Sequence, residues 1–402
     1  MINLWLELWV FELVQFFGLL VIFISFWGGL PYDNWWIRFA DFPRLQILFV
    51  GSLSWLLMFG FIAYWQLFQK IMMLLLLFVL LYQFAMVLPY TQFWRKQVKT
   101  AKNDANISQK SRIKIIVSNV LAPNRQTDKL IKLVDDYQPD VLLTLESDLK
   151  WQNALNKIEP DFAYSIKIPL DNLYGMHLYS KYELIDAKIK YLVVDDIPSI
   201  ETQVRLPNGK KVWLYCLHPM PPSPTEVNKS TTRDAELLMI ARKIRQHAQT
   251  AIVAGDLNDV AWSRTTRQFR RVSGLLDPRI GRKFINTFHA QLPLFRWALD
   301  HVFHSHDFTL VDIKRLEPIG SDHFPIFTEL QYEPEAIKHQ KRFVSTLALS
   351  ELKKSRHRVL VGLLEGKRVS LLRRQKQLNK ILYKNNKMIK KAVVVSNAKG
   401  DM

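Results

Sequence analysis

The chain has 402 residues, room for a membrane region, one catalytic domain and a tail. Its single cysteine, Cys216, excludes an intramolecular disulfide and any cysteine-based zinc cluster. The formal charge of +19 is badly distributed: residues 336–402 hold 18 Lys and Arg against 3 Asp and Glu, so +15 lies in that tail and +4 in everything before it. The basic character belongs to an appendage, and the region before it is nearly balanced.

Residues 1–94 read as a membrane region. Segments 13–30, 45–69 and 71–94 are predicted helices, each long enough to cross a hydrocarbon core, which takes roughly 20 apolar residues. Trp27, Trp35, Trp36, Trp65, Tyr90 and Trp94 crowd their ends, where an interfacial belt would sit. Glu7 and Glu12, with no Lys or Arg beside them, argue against a cleaved signal peptide. Arg38, Arg44, Arg95, Lys96, Lys99 and Lys102 flank one side of the bilayer and only Lys70 the other. Positive-inside bias then predicts a multi-pass inner or plasma membrane protein with its large domain in the cytoplasm.

Residues 95–111 are polar and read as a linker. From there strands and helices alternate: a strand at 113–117, a helix at 127–137, a buried strand at 141–145, a strand at 212–217, a helix at 231–247 and strands at 251–254, 302–303 and 325–330. This mixture predicts a layered α/β domain over 112–332. In the tail, 333–402, Leu352, Leu360, Leu363, Leu364, Leu371, Leu378 and Leu382 recur near helical spacing among Lys and Arg. That is a basic amphipathic helix suited to anionic lipid or nucleic acid, or else a solvated, disordered appendage.

Short polar patches follow or end the strand-like runs: Asn119, Glu146, His218, Gly255-Asp256-Leu257-Asn258, Leu299-Asp300-His301 and Ser321-Asp322-His323. Hydrolysis of a phosphate diester needs a cation against the developing charge, an oriented water and help for the leaving oxygen. Asn119, Glu146, Asp256, Asn258 and Asp322 supply oxygen donors of the kind Mg²⁺ prefers, and His218 and His323 supply groups that titrate near neutrality.

From Ile113 to Leu330 these patches resemble, in order, the motifs of the endonuclease/exonuclease/phosphatase superfamily, the DNase I-like hydrolases. Ser118-Asn119-Val120 resembles its opening motif, and Pro139-Asp140-Val141 with Leu145-Glu146 the segment whose Glu binds metal. Leu217-His218-Pro219 resembles the active-site His at a strand end. Gly255-Asp256-Leu257-Asn258 is similar to the Gly-Asp-Phe-Asn motif, with Leu for the usual Phe, and Ser321-Asp322-His323-Phe324-Pro325 resembles the closing motif. The resemblance implies a four-layer α/β sandwich, two packed β-sheets flanked by helices, preceded here by three transmembrane helices. It also implies roles: Glu146 and Asp322 on Mg²⁺ or Mn²⁺ with Asn119 close by, and Asp256 and Asn258 on the attacking water. Asp300 would orient His323 on the phosphate, and His218 would bind phosphate or assist the leaving group.

The expected activity is a membrane-anchored, metal-dependent phosphoesterase. A nuclease comes first, because the basic tail could gather polyanions. The alternative is a phospholipid or sphingolipid head-group phosphodiesterase or phosphatase, because the anchor holds the site near the bilayer. A rival of another class is a non-catalytic membrane scaffold. His301, His304 and His306 have zinc-like spacing but read as core or surface residues, and Cys216 as a buried thiol. Trp262 and Phe288 are expected to pack beneath the active-site loops. No acidic partner for His218 is legible; His177 and Glu183 merely lie in the right region.

Overall fold

The computed structural model describes residues 2–101, 109–343 and 349–400; residues 102–108 of the expected linker, Lys102 among them, lie outside the described residues. The N-terminal region holds α1 (Ile2–Gly29), the short α2 (Trp35–Arg38), α3 (Arg44–Met58) and α4 (Leu67–Val87). Three stretches, Trp5–Gly29, Arg44–Tyr64 and Leu67–Tyr90, are long and apolar enough to cross a membrane. The first begins earlier than charge-free sequence suggested, because Glu7 and Glu12 are carried on exposed faces of α1. The break between the second and third falls at residues 65–66, where Gln66 and Gln69 form a reciprocal cap, and Lys70 lies inside α4.

Inside this bundle polar groups satisfy each other. Gln69 Nε2 donates to Gln15 Oε1 at 2.9 Å and Gln83 Nε2 to Ser25 Oγ at 2.9 Å. Two arginines that weighed on orientation are also engaged. Arg44 Nη1 donates to Gln83 Oε1 at 2.6 Å, and Arg38 donates to the Tyr32 and Leu30 carbonyls.

The larger domain runs β1 (Arg112–Asn119), α5 (Thr127–Tyr137), β2 (Val141–Leu145), α6 (Leu149–Leu155), β3 (Tyr164–Ile168), β4 (Met176–Ser180), β5 (Leu184–Lys190) and β6 (Ser199–Arg205). It continues with β7 (Lys211–Cys216), α7 (Thr231–Gln246), β8 (Ala251–Asp256), α8 (Arg264–Ser273), β9 (Asp300–His304), β10 (Phe308–Arg315) and β11 (Ile326–Tyr332). One sheet has the order β10-β11-β1-β2-β4-β3 and the other β5-β6-β7-β8-β9. Alternation builds the layers. Ile115, Val117, Leu143, Leu145, Ile252 and Ala254 point between the sheets, whereas Ile116 and Leu142 face α5 and α6, and Val253 faces α7 and α8. The result is the expected four-layer α/β sandwich.

Among these strands, β1–β2 and β7–β8 pair in parallel, each crossing over through a helix; the other strand pairs are antiparallel. The carboxyl ends of these four central strands therefore open on one edge of the sandwich, where Asn119, Glu146, His218 and Asp256 arrive. Asp256 and Asp300 are register partners across β8 and β9.

The tail forms α9 (Ile337–Gln340) and α10 (Leu349–Gly400). Val359, Leu363 and Val369 of α10 join the apolar clusters over α7, while Leu360, Leu364, Leu371, Leu378 and Leu382 face outward. Most of the spaced leucines thus mark its outer stripe, and Leu363 alone of these lies on the docked face. A Cβ at Gly362 would strike Ala235 and the Thr231 carbonyl, so glycine is what lets α10 lie against α7.

Candidate active site

The residues at the open edge are held by strained or glycine-dependent turns. Gly255 has φ +146°, and a Cβ there would collide with the Leu217 carbonyl, so glycine is required just before Asp256. Glu146 and Asn258 sit at φ +57° and +50°, conformations that L-residues avoid unless the surroundings impose them. For Asn258 the surroundings are clear. Asp256 Oδ1 accepts its backbone N–H at 2.8 Å, Asn258 Nδ2 donates to the Pro219 carbonyl at 3.0 Å, and buried Arg233 donates to the Asn258 carbonyl at 2.7 Å. Arg233 is itself pinned between Asp234 and Asp259. Nothing in its local sequence marked this supporting role.

All eight predicted site residues converge. Asn119 Nδ2 donates to Glu146 Oε1 at 2.8 Å and to Asp256 Oδ2 at 3.2 Å. His323 Nδ1 lies 2.8 Å from Asp300 Oδ2, and its Nε2 lies 3.5 Å from Asp256 Oδ2. His218 Nε2 lies 3.9 Å from the same oxygen. Ser321 binds the closing loop to β1 by donating to the Asn119 carbonyl at 2.8 Å. Glu146, Asp256, Asn258, Asp322 and His323 line a common cavity of about 410 Å³.

Burial and charge set the protonation pattern. For Asp256 burial opposes ionisation, but His323 and His218 outweigh it and hold the carboxyl below its ordinary value. His323 is buried too, which alone would strip its proton; Asp300 and Asp256 win and push its pKa up to about 10. His218 has no such support: burial takes it down to about 4, so it is a neutral imidazole at pH 7. Its Nδ1 has no hydrogen-bond partner among the described residues. Neither His177, whose ring nitrogens have no partner among the described residues, nor Glu183, paired with Arg205, serves it.

Two groupings could hold an ion. Asp256, Asp300 and His323 bring ligand atoms within 4.8 Å of one another, but His323 Nδ1 is already hydrogen-bonded to Asp300. That trio is better satisfied as carboxylate–imidazolium–carboxylate. Glu146 differs, because its Oε2 is buried with no hydrogen-bond partner among the described residues while burial pushes its pKa up to about 7. The carboxylates of Glu146 and Asp322 suit a hard divalent cation, which would satisfy that orphaned oxygen, while Asn119 stands beside them with its Nδ2 on Glu146 Oε1 and its Oδ1 accepting from the Leu121 N–H.

Other expectations resolve similarly. His301 and His304 are buried, His301 Nε2 beside the Asp259 carbonyl at 2.8 Å and His304 Nδ1 beside the Ser305 carbonyl at 2.8 Å, and Cys216 is fully buried. Trp262 packs inside and donates to the Asp41 carbonyl. Phe288 packs against the same cluster as Trp262 and also lines the cavity, its ring 4.9 Å from that of His323. The opposite wall comes from the connection between α1 and α3, with Trp35, Arg38, Phe39 and Phe42. No sequence signal tied that connection to the site residues, which are distant in the chain.

Two packed sheets flanked by helices make this a DNase I-like sandwich. The model of the endonuclease/exonuclease/phosphatase family matches residues 116–323, over half of the chain, and the chain belongs to that family. Among solved structures it is similar to D. rerio TDP2 complexed with a single-strand DNA product (18% identity, 55% of this chain and 99% of that chain, TM-score 0.46). It is likewise similar to the human Nocturnin catalytic domain with bound sulfate (18%, 55% and 95%, TM-score 0.45). A third is an endonuclease/exonuclease/phosphatase from Bacteroides vulgatus (17%, 55% and 99%, TM-score 0.44). No curated protein matches the chain.

Proposed function

We propose that this chain is a membrane-anchored, divalent-metal-dependent phosphoester hydrolase. The observation that carries the reading is the buried Glu146 Oε2, without a hydrogen-bond partner among the described residues, in the cavity that also presents Asp256 and the Asp300-supported His323. Glu146 and Asp322, with Asn119 beside them, would hold Mg²⁺ or Mn²⁺, which when bound offsets negative charge on the phosphoryl oxygens. Asp256, ionised at neutral pH, accepts a proton from the attacking water, and Asn258 orients that water. His323, kept protonated, donates a hydrogen bond to a phosphoryl oxygen as charge builds there. His218, neutral, donates through one ring nitrogen to the phosphate or the departing oxygen.

The family includes nucleases, and the basic tail supports a nuclease reading. The aromatic wall contributed by the connection between α1 and α3 supports a lipid phosphoester. The three apolar helices are read as spans, with that connection and the catalytic domain together on the cytoplasmic side. Calorimetric titration of Mn²⁺ into the full chain tests the core of the reading. Binding that weakens more than about tenfold in Glu146→Gln supports it; no binding to the wild-type chain refutes it and favours a scaffold.

A further inference from the structure

Resting on the hydrolase reading above, we propose that the substrate is a phosphoester attached to a long apolar chain and presented from the bilayer. The wall facing the catalytic groups is aromatic, and most of it comes from outside the sandwich. Phe288 stands beside His323 and stacks on Trp297 with ring centroids 6.0 Å apart. Trp297 in turn meets Phe42 at 5.5 Å and Phe39 at 6.1 Å, edge to face. An unbroken apolar track thus runs from the reacting centre to the connection between the first two spans.

The outer end of that track is bare. Phe39 and Phe295 are each 51% exposed and Leu294 is 77% exposed. Gln46, in the first turn of α3, donates to the Leu294 carbonyl at 2.6 Å, which fixes this rim at the end of the second span. Exposed aromatics and leucines at that level match the lipid–water interface, not bulk water.

The charges argue the same way. A polynucleotide groove needs cations that track the phosphates. Among the described residues the cation on the aromatic wall is Arg38, committed to the Tyr32 and Leu30 carbonyls. In the tail, Arg358 is paired with Asp234, Arg373 with Asp196 and Arg374 with Asp195. The proposed reaction is simple hydrolysis: the water oxygen bonds to phosphorus, one ester P–O bond breaks, and the released oxygen takes a proton. Products are an alcohol and a phosphate monoester, with no redox change.

Three p-nitrophenyl phosphodiesters test this, sharing one leaving group and differing in the other: hexadecyl, methyl and thymidine 5′. Each is given with Mn²⁺ to the full chain in lipid nanodiscs. The hexadecyl ester is expected to show kcat/KM at least about tenfold above the methyl ester. That ratio should fall severalfold in Leu294→Ser/Phe295→Ser and, separately, in Phe39→Ser. A wild-type ratio near one, or preference for the thymidine ester, overturns the lipid assignment and leaves the hydrolase reading standing. A ratio unchanged in both variants overturns the assigned track. No metal-dependent turnover of any of the three overturns the hydrolase reading itself, and this one with it.

Discussion

His323 and Asp300 form a buried ion pair, Nδ1 to Oδ2 at 2.8 Å, with the imidazole's other nitrogen directed at Asp256. One cation held between two carboxylates keeps its proton well above neutral pH. Asp300→Asn removes the strongest of the charges that raise the His323 pKa to about 10. The alkaline limb of the pH–rate profile should then move to lower pH, with turnover reduced by roughly 10²–10⁴ at pH 8. An unshifted limb would remove His323 from the reaction.

Glu146 has its pKa raised to about 7, chiefly by burial. A metal must displace that proton, so Mn²⁺ affinity should rise as pH increases through 7 and level off above it. In Glu146→Gln the slope should disappear along with most of the affinity. Calorimetry between pH 6 and 8 reads both.

Glu236 lies inside the domain, away from the cavity, with Ser199 donating to its Oε1 at 2.8 Å. Burial pushes its pKa from 4.5 to about 7, and the Ser199 hydrogen bond only partly opposes this. Between those values the folded protein keeps a proton that the unfolded chain has released. Its contribution to stability is therefore full below 4.5 and is lost as pH rises through 7. Glu236→Gln should remove that loss, on the order of 1–3 kcal/mol at pH 8, and raise Tm there relative to wild type. An equal fall of Tm between pH 6 and 8 in both proteins would contradict the assignment.

Gly362 lets α10 lie on α7. Gly362→Leu should push the helix away, costing about 1–3 kcal/mol, and should open the segment around Arg358 to limited proteolysis. The ion pair of Arg358 with Asp234 would be lost with it, whereas Leu364→Ser on the exposed stripe should leave the protease pattern unchanged.

The sequence carried the site further than it carried the surroundings. Asn119, Glu146, Asp256 and His323 were legible because each follows an apolar run and sits in a short motif set by the turn it must make. β1, β2 and β8 were legible too, since burial on both faces leaves near-continuous apolar runs. The edge strand β5 was not, because most of its side chains are exposed or half-buried and its apolar pattern is thin. The outward leucine stripe of α10 gave a strong periodicity that pointed away from the docked face. The cavity's far wall was invisible for another reason: Phe39 and Phe42 meet Trp297 only through tertiary packing, and no local pattern encodes a contact over that separation.

The most direct test of the account is hydrolysis of bis-p-nitrophenyl phosphate by the full chain, followed with chelator, with added Mn²⁺, and in Asp256→Asn. Turnover should vanish with chelator, return with Mn²⁺ and fall by about 10³ or more in the variant, whose melting temperature stays near wild type. Turnover that ignores the chelator, or that survives in Asp256→Asn, would contradict it.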